Sequence, residues 1–215
     1  KGSDAAIVLA NPNAPTGRAL SRDEVAALVA SNTERLVVID EAYFGFGAES
    51  AVPLLADHDN LVVTRSLSKS HALAGMRVGY AMAQPDLVEG LNRVKDSFNS
   101  YPLDAIAQAV ATAAVADSQW LDQAAATVCA ARERMTTGLQ AMGFDVLPSQ
   151  ANFIFTQHNT FPGKRLFDAL RERDIVVRRW DRPRIENWLR ISVGTREQVE
   201  ALLAVVQEVV ASESD

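Results

Sequence analysis

The chain has 215 residues, enough for one large or two small domains around a sizeable core. Apolar residues make up 48% and charged residues 22%, and the net charge of −6 comes from Lys and Arg interspersed with Asp and Glu; this argues against nucleic-acid or anionic-membrane partners and leaves room for a local basic pocket. The lone Cys129 excludes an internal disulfide and a cysteine-built metal site, and no metal site is expected. No apolar run reaches the ~18 residues of a membrane span, and no secretory signal is visible, so a cytoplasmic setting is expected.

In chain order, Lys1-Gly2-Ser3-Asp4 reads as a cut end, followed directly by the apolar run Ala6–Ala10, a buried-type strand. The turn Asn11-Pro12-Asn13-Ala14-Pro15-Thr16-Gly17 follows. Ser21 with Glu24 forms a capping box for a helix whose apolar face is Val25, Leu28 and Val29. Two further buried strands are Leu36–Ile39, ending at Asp40-Glu41, and Leu61–Thr64, ending at Arg65-Ser66; Val78–Ala83 makes a fourth. Strands alternating with helices predict an α/β sheet, mostly parallel and covered on two sides. From Pro85 the pattern turns helical, with Ala-rich stretches over Asp104–Ala116 and Gln119–Met142 and a stop at Gly143. Strands are then expected at Phe144–Leu147, Asn152–Thr156, Ile175–Val177 and Leu189–Val193. Helices are expected at Lys164–Arg173 and after the Thr195/Gln198 cap, and Ser212–Asp215 should fray. The organisation is therefore a partial large domain, residues 1–117, and a smaller α+β domain, residues 118–215.

Three strand ends are polar, and ligands of open α/β sheets bind at the carboxyl ends of strands. Taken singly, each residue there has an ordinary reading. Asp40-Glu41 could be an N-cap or a Mg²⁺ ligand, Lys69 a surface lysine, Ser66 and Ser68 turn residues, and Arg77 half of a structural ion pair. Asn11 and Asn13 are default turn residues, His71 suits packing, and His58 and His158 suit loops. Together, however, they offer a carboxylate, a phenol at Tyr43, two hydroxyls, an amine and a guanidinium. Pyridoxal phosphate, with its ring nitrogen, phenolate oxygen, aldehyde and phosphate, would use that whole set.

In order and spacing the set resembles the fold-type I pyridoxal-phosphate transferases, and within them the histidinol-phosphate aminotransferase branch. The matching stretches are Asn11–Gly17, Asp40-Glu41-Ala42-Tyr43, Ser66-Leu67-Ser68-Lys69, Leu73–Tyr80, Gln150–Phe153 and Leu189–Gly194. The resemblance implies that Lys69 forms the Schiff base with the cofactor and then shuttles a proton. It implies that Asp40 pairs with the ring nitrogen, that Tyr43 donates to the ring hydroxyl oxygen, and that Ser66, Ser68 and Arg77 bind the phosphate. Arg190 would grip the substrate carboxylate, and Arg178 would help to hold the distal group. Burial against an apolar strand and a nearby guanidinium would both disfavour the ammonium form of Lys69.

The usual Asn before Pro-Thr-Gly is here Ala14, so the ring-hydroxyl contact falls to Asn13, or to Asn11 if the turn is reshaped. The family also implies roughly another 140 residues upstream, with a phosphate-cradling loop, an aromatic that stacks on the ring and a Tyr lent by a homodimer partner. The chain is accordingly expected to be a C-terminal fragment, inactive alone, of an enzyme moving an amino group between histidinol phosphate and 2-oxoglutarate. The amino donor stays open between histidinol phosphate and aromatic amino acids. A decarboxylase of a phosphorylated amino acid and the sensor domain of a transcription regulator are the alternatives.

Overall fold

The computed structural model describes residues 4–212, so the expected cut start at Lys1–Ser3 and the fraying of Glu213–Asp215 lie outside the described residues. Two compact units form. The first takes the residues up to Asn13 together with Ala19–Gln123; the second takes Ala14–Arg18 and the residues from Ala124 onward.

In the first unit, β1 (Ile7–Ala10), β2 (Val37–Asp40) and β3 (Leu61–Ser66) run parallel, and β4 (Gly79–Ala83) pairs antiparallel with β3, giving the order β1-β2-β3-β4. The mostly parallel sheet expected from the apolar runs is thus present. Helix α1 (Arg22–Ala30) starts at the predicted capping box: Glu24 N donates to Ser21 Oγ at 3.2 Å, and Ser21 N donates to the Glu24 carboxylate at 2.8 Å. Its Val25 and Val29 share one core with Val37, Ile39, Leu61 and Val63, each fully buried side chain contributing roughly 1.5–3 kcal/mol. The pattern suggested strands covered on both faces, yet Val8 in β1 is 72% exposed. After β3 comes the single-turn helix α2 (Leu67–Ser70), and after β4 come α3 (Pro85–Phe98) and α4 (Ala105–Ala116). Asp104 caps α4, accepting from Ala107 N at 2.7 Å. The long helix α5 (Ser118–Ala141) ends in the second unit.

The second unit has an antiparallel sheet of β5 (Phe144–Val146), β6 (Phe153–His158), β7 (Arg178–Arg179) and β8 (Leu189–Ser192) in the order β5-β6-β8-β7. Gly143 turns α5 into β5 at φ +85°, a conformation that a side chain disfavours. Helix α6 (Gly163–Arg171) and helix α7 (Arg196–Ala211), the latter capped by Thr195 and Gln198, bury Leu166, Leu170, Leu202 and Val206 against Met135, Leu139, Ile154 and Leu189. The strand expected at Ile175–Val177 does not form. Asp174 adopts a left-handed φ of +59°, and Ile175 N donates back to Leu170 O at 2.9 Å, so this segment closes α6 and pairing begins only at Arg178. His158, expected in a loop, ends β6. Its Nε2 lies 3.0 Å from Met142 O, and its Nδ1 accepts from Phe161 N at 2.9 Å, tying two turns together.

Candidate active site

Asp40 is the last residue of β2 and stands in register with Thr64 of β3. Its Oδ1 accepts from Ala42 N at 3.0 Å and from Thr64 Oγ1 at 3.3 Å. Both bonds fall on one oxygen, which fixes the rotamer and leaves Oδ2 for a further donor. Three residues on, the Tyr43 ring lies 5.5 Å from Lys69 Nζ.

The parity of β3 puts Ser66 on the same face as Thr64. There Ser66 Oγ caps α2, accepting from Ser68 N at 3.1 Å and donating to Ser68 Oγ at 2.7 Å. Two hydroxyls thus sit together, one three residues before Lys69 and the other directly before it. Within α2, Leu67 and Ser70 are buried, whereas Lys69 is exposed. The burial of Lys69 against an apolar strand is therefore not seen: Leu67, not Lys69, is buried, and it packs with Val78 and Ala107. Arg77 is also exposed, with Nη1 donating to Ala74 O at 3.0 Å. Arg77 holds a left-handed φ of +56°, a costly conformation for a residue with a side chain and one that clusters at functional sites. Close by, where Gly79 of β4 pairs with Ser66 of β3, a Cβ on Gly79 would come within 3.1 Å of Arg65 O, a tight fit that a glycine avoids.

The turn after β1 separates the two asparagines. Asn11 is buried and its amide is committed to Leu20, accepting from Leu20 N at 2.7 Å and donating to Leu20 O at 3.3 Å. Asn13 is half-buried and makes other contacts, so it is the better placed of the two for a ligand.

In the second unit, Arg178 of β7 and Arg190 of β8 are directly opposed across the ladder. Like charges in that relation repel, and neither forms an ion pair among the described residues. Aromatic faces stand in instead: the Trp180 centroid lies 5.2 Å from Arg178 Cζ and 5.8 Å from Arg190 Cζ, and Phe153 lies 5.1 Å from Arg190 Cζ. Arg190 Nε is buried without a hydrogen-bond partner. A depression of about 430 Å³ opens beside Arg178, Arg179 and Arg190. Two unpaired guanidiniums at one opening suit a carboxylate or phosphate, which both can grip with planar, forked hydrogen bonds.

Sequence reasoning missed Thr64, Trp180 and the ion pair of the buried Glu41 with the half-buried Arg65. Thr64 carries a usable signal, a hydrogen-bonding residue at the same strand depth as Asp40. Trp180 carries another, an aromatic at the same strand parity as Arg178. His71 does pack, as expected: it is buried, 2.9 Å from Ser70 Oγ, between the Phe44 and Trp120 rings, and burial pulls its pKa below the ordinary value.

A mixed α/β unit carries a lysine, a carboxylate and a phenol at its strand ends, and an arginine-bearing α+β unit follows it in the chain. The family model for aminotransferase class I and II matches residues 1–206, and the chain belongs to that family. It is similar to histidinol-phosphate aminotransferase 1 of Bradyrhizobium diazoefficiens, 56% identical over 205 residues, covering 95% of this chain and 59% of that enzyme. It is also similar to the histidinol-phosphate aminotransferase of Gluconacetobacter diazotrophicus, 53% identical, covering 98% of this chain and 59% of that enzyme. Among solved structures, the histidinol-phosphate aminotransferase of Sinorhizobium meliloti in complex with pyridoxal-5'-phosphate superposes with a TM-score of 0.85 at 27% identity, covering 96% of this chain and 57% of that one. The chain thus spans about 59% of the length of the curated relatives it matches.

Proposed function

We propose that this chain is part of a pyridoxal-phosphate-dependent aminotransferase that moves an amino group between histidinol phosphate and 2-oxoglutarate. The observation that carries the reading is the grouping at the ends of β2 and β3: Asp40 with one oxygen satisfied, Lys69 beside the Tyr43 ring, and the Ser66–Ser68 hydroxyl pair.

This donor set fits the cofactor. A carboxylate with a free oxygen suits the ring nitrogen, the phenol suits the ring hydroxyl oxygen, and the amine suits the aldehyde. The hydroxyl pair and Arg77 suit the phosphate, and Asn13 adds an amide. When bound, pyridoxal phosphate supplies an electron sink for charge developing at the substrate's α-carbon. Asp40 would hold the proton on the ring nitrogen, and Lys69 would carry a proton to and from the α-carbon. Arg190 would bind the carboxylate of glutamate or 2-oxoglutarate, and Arg178 would help to hold the phosphate end of histidinol phosphate. The division into a cofactor-binding part at residues 1–117 and a small domain at residues 118–215 belongs to the same reading, as do a homodimeric assembly and a cytoplasmic location. Among the described residues, no helix is long and apolar enough to cross a membrane.

Borohydride reduction of the whole protein loaded with cofactor, followed by peptide mapping, tests the reading. The adduct should fall on Lys69; an adduct on Lys95 instead would reject the assignment.

A further inference from the structure

Glu41 is only 2% exposed, a rare state for a carboxylate, and the roles assigned above give it no task. It is fully satisfied. Its carboxylate accepts from Ala51 N at 2.6 Å, from Ser50 Oγ at 3.0 and 3.1 Å, and from Arg65 Nε at 2.9 Å and Nη2 at 2.8 Å. Arg65 Nη2 also donates to Ser50 Oγ at 2.7 Å, and its Cζ sits 4.2 Å from the Phe44 centroid. A buried ion pair is weak evidence for stability, since desolvation offsets its attraction. Its position in the chain is more telling.

Glu41 directly follows Asp40, and Arg65 directly precedes Ser66. Asp40 pairs with Thr64, and Glu41 N donates to Thr64 O at 2.8 Å, so Glu41 and Arg65 prolong the ladder by one step on the opposite face. The ion pair therefore locks the ends of β2 and β3 together behind the residues that face the site. It reaches the phenol as well: Phe44 stacks on Arg65, and Phe44 N donates to Glu41 O at 3.0 Å, which fixes the turn that carries Tyr43. We infer that Glu41 and Arg65 are positioning residues. Together they set the spacing of Asp40, Tyr43 and the Ser66–Lys69 turn and so pre-form the cofactor cradle.

This inference rests on the functional reading above, and the test separates the two. Glu41→Gln, Arg65→Met, the neutral double variant and the conservative Arg65→Lys are made in the whole protein. For each, three quantities are measured: the unfolding midpoint of the cofactor-free protein, the Kd for pyridoxal phosphate, and the pH midpoint of the bound cofactor's absorbance. Each single variant that strands a buried charge should lower the unfolding midpoint, and the double variant should recover much of it. Cofactor affinity should not recover with it. It should stay about tenfold or more weaker, the loss expected when one charge-assisted hydrogen bond is misplaced, and the absorbance midpoint should remain displaced. Arg65→Lys keeps the charge without the fork; it should disturb the cofactor readouts more than the unfolding midpoint, and it decides the matter if the other variants do not fold. Affinity that tracks the unfolding midpoint across the series would make the pair merely structural and overturn the inference. Wild-type protein that binds no cofactor would overturn the functional reading, and this inference with it.

Discussion

Replacing Arg178 with Gln should separate anion binding from folding stability. Arg178 and Arg190 are directly opposed across β7 and β8, and relieving a directly opposed like-charge pair gains roughly 0.2–1 kcal/mol. Against that gain, the variant loses the stack on Trp180, at 5.2 Å from Cζ to centroid in an exposed side chain, worth about 0.5–1 kcal/mol. The two nearly cancel. The free protein's unfolding midpoint should therefore move by no more than about 2 °C. Ligand binding has no such offset: one lost ion pair at an exposed side chain costs up to about 1 kcal/mol, or roughly up to fivefold in Kd. Calorimetric titration of the whole protein with histidinol phosphate at fixed ionic strength, beside thermal unfolding of the same preparations, reads both. A variant that binds normally, or one that unfolds about 5 °C lower or more, would refute the reasoning.

Three further substitutions probe other parts of the molecule. Asp40→Ala should reduce kcat far more than it weakens cofactor binding, because in the proposed function Asp40 would act on the charge that develops during reaction; steady-state kinetics at saturating cofactor check this, and near-normal turnover would reject the role. Arg190→Lys should raise KM for glutamate, since lysine cannot make the forked pair, and an unchanged KM would move the carboxylate contact elsewhere. His71 is buried and its pKa is drawn below the ordinary 6.5. The unfolded chain then takes up a proton before the folded one does, so stability is lost as pH falls from about 6.5 toward the lowered folded value. His71→Phe should flatten that acid loss in urea unfolding at about pH 5 and about pH 7.5, and an unchanged difference between the two pH values would show that other groups cause it.

The parts of the fold legible in the sequence are those written locally. The runs of β2 and β3, the Ser21/Glu24 and Thr195/Gln198 capping boxes and the stop at Gly143 all depend on residues a few positions apart, and all appear in the structure. The Ile175–Val177 strand failed because Ile175 and Val177 serve equally well to close α6 under its core, while Val176 stays exposed, and nothing local separates the two uses. Register lay beyond reach. Whether Thr64 or Arg65 faces Asp40, and whether Arg178 opposes Arg190, depends on strand alignment, where a slip of one residue reverses every face. The exposure of Lys69 was hidden for a related reason. In a one-turn helix, one position decides which side chain is buried, and Leu67 takes that place beside Val78 and Ala107.

The isolated 215-residue chain should self-associate and bind pyridoxal phosphate much more weakly than the whole protein. Among the described residues, β1 pairs only with β2 and β4 only with β3, and open edges of this kind recruit other chains. Large apolar side chains also meet solvent: Val8 is 72% exposed, Val94 63%, Phe98 81% and Ile106 72%. Each gains on contact with another surface, at roughly 25 cal/mol per Å² removed from water. Two of the residues proposed to hold the cofactor are exposed too. Lys69 and Arg77 both lie open to solvent, where ion pairs with a phosphate are screened and contribute about 0–1 kcal/mol rather than the larger sum a closed site allows. Sedimentation velocity should show the chain as dimers or larger species whose population rises with concentration. Absorbance titration should show cofactor binding orders of magnitude weaker than in the whole protein, because two or three lost contacts at about 1.5 kcal/mol each multiply to that extent. A monomer that binds pyridoxal phosphate stoichiometrically at micromolar concentration would show that these residues close the site unaided, and the exposure of Lys69 would then have to be a property of the free form alone.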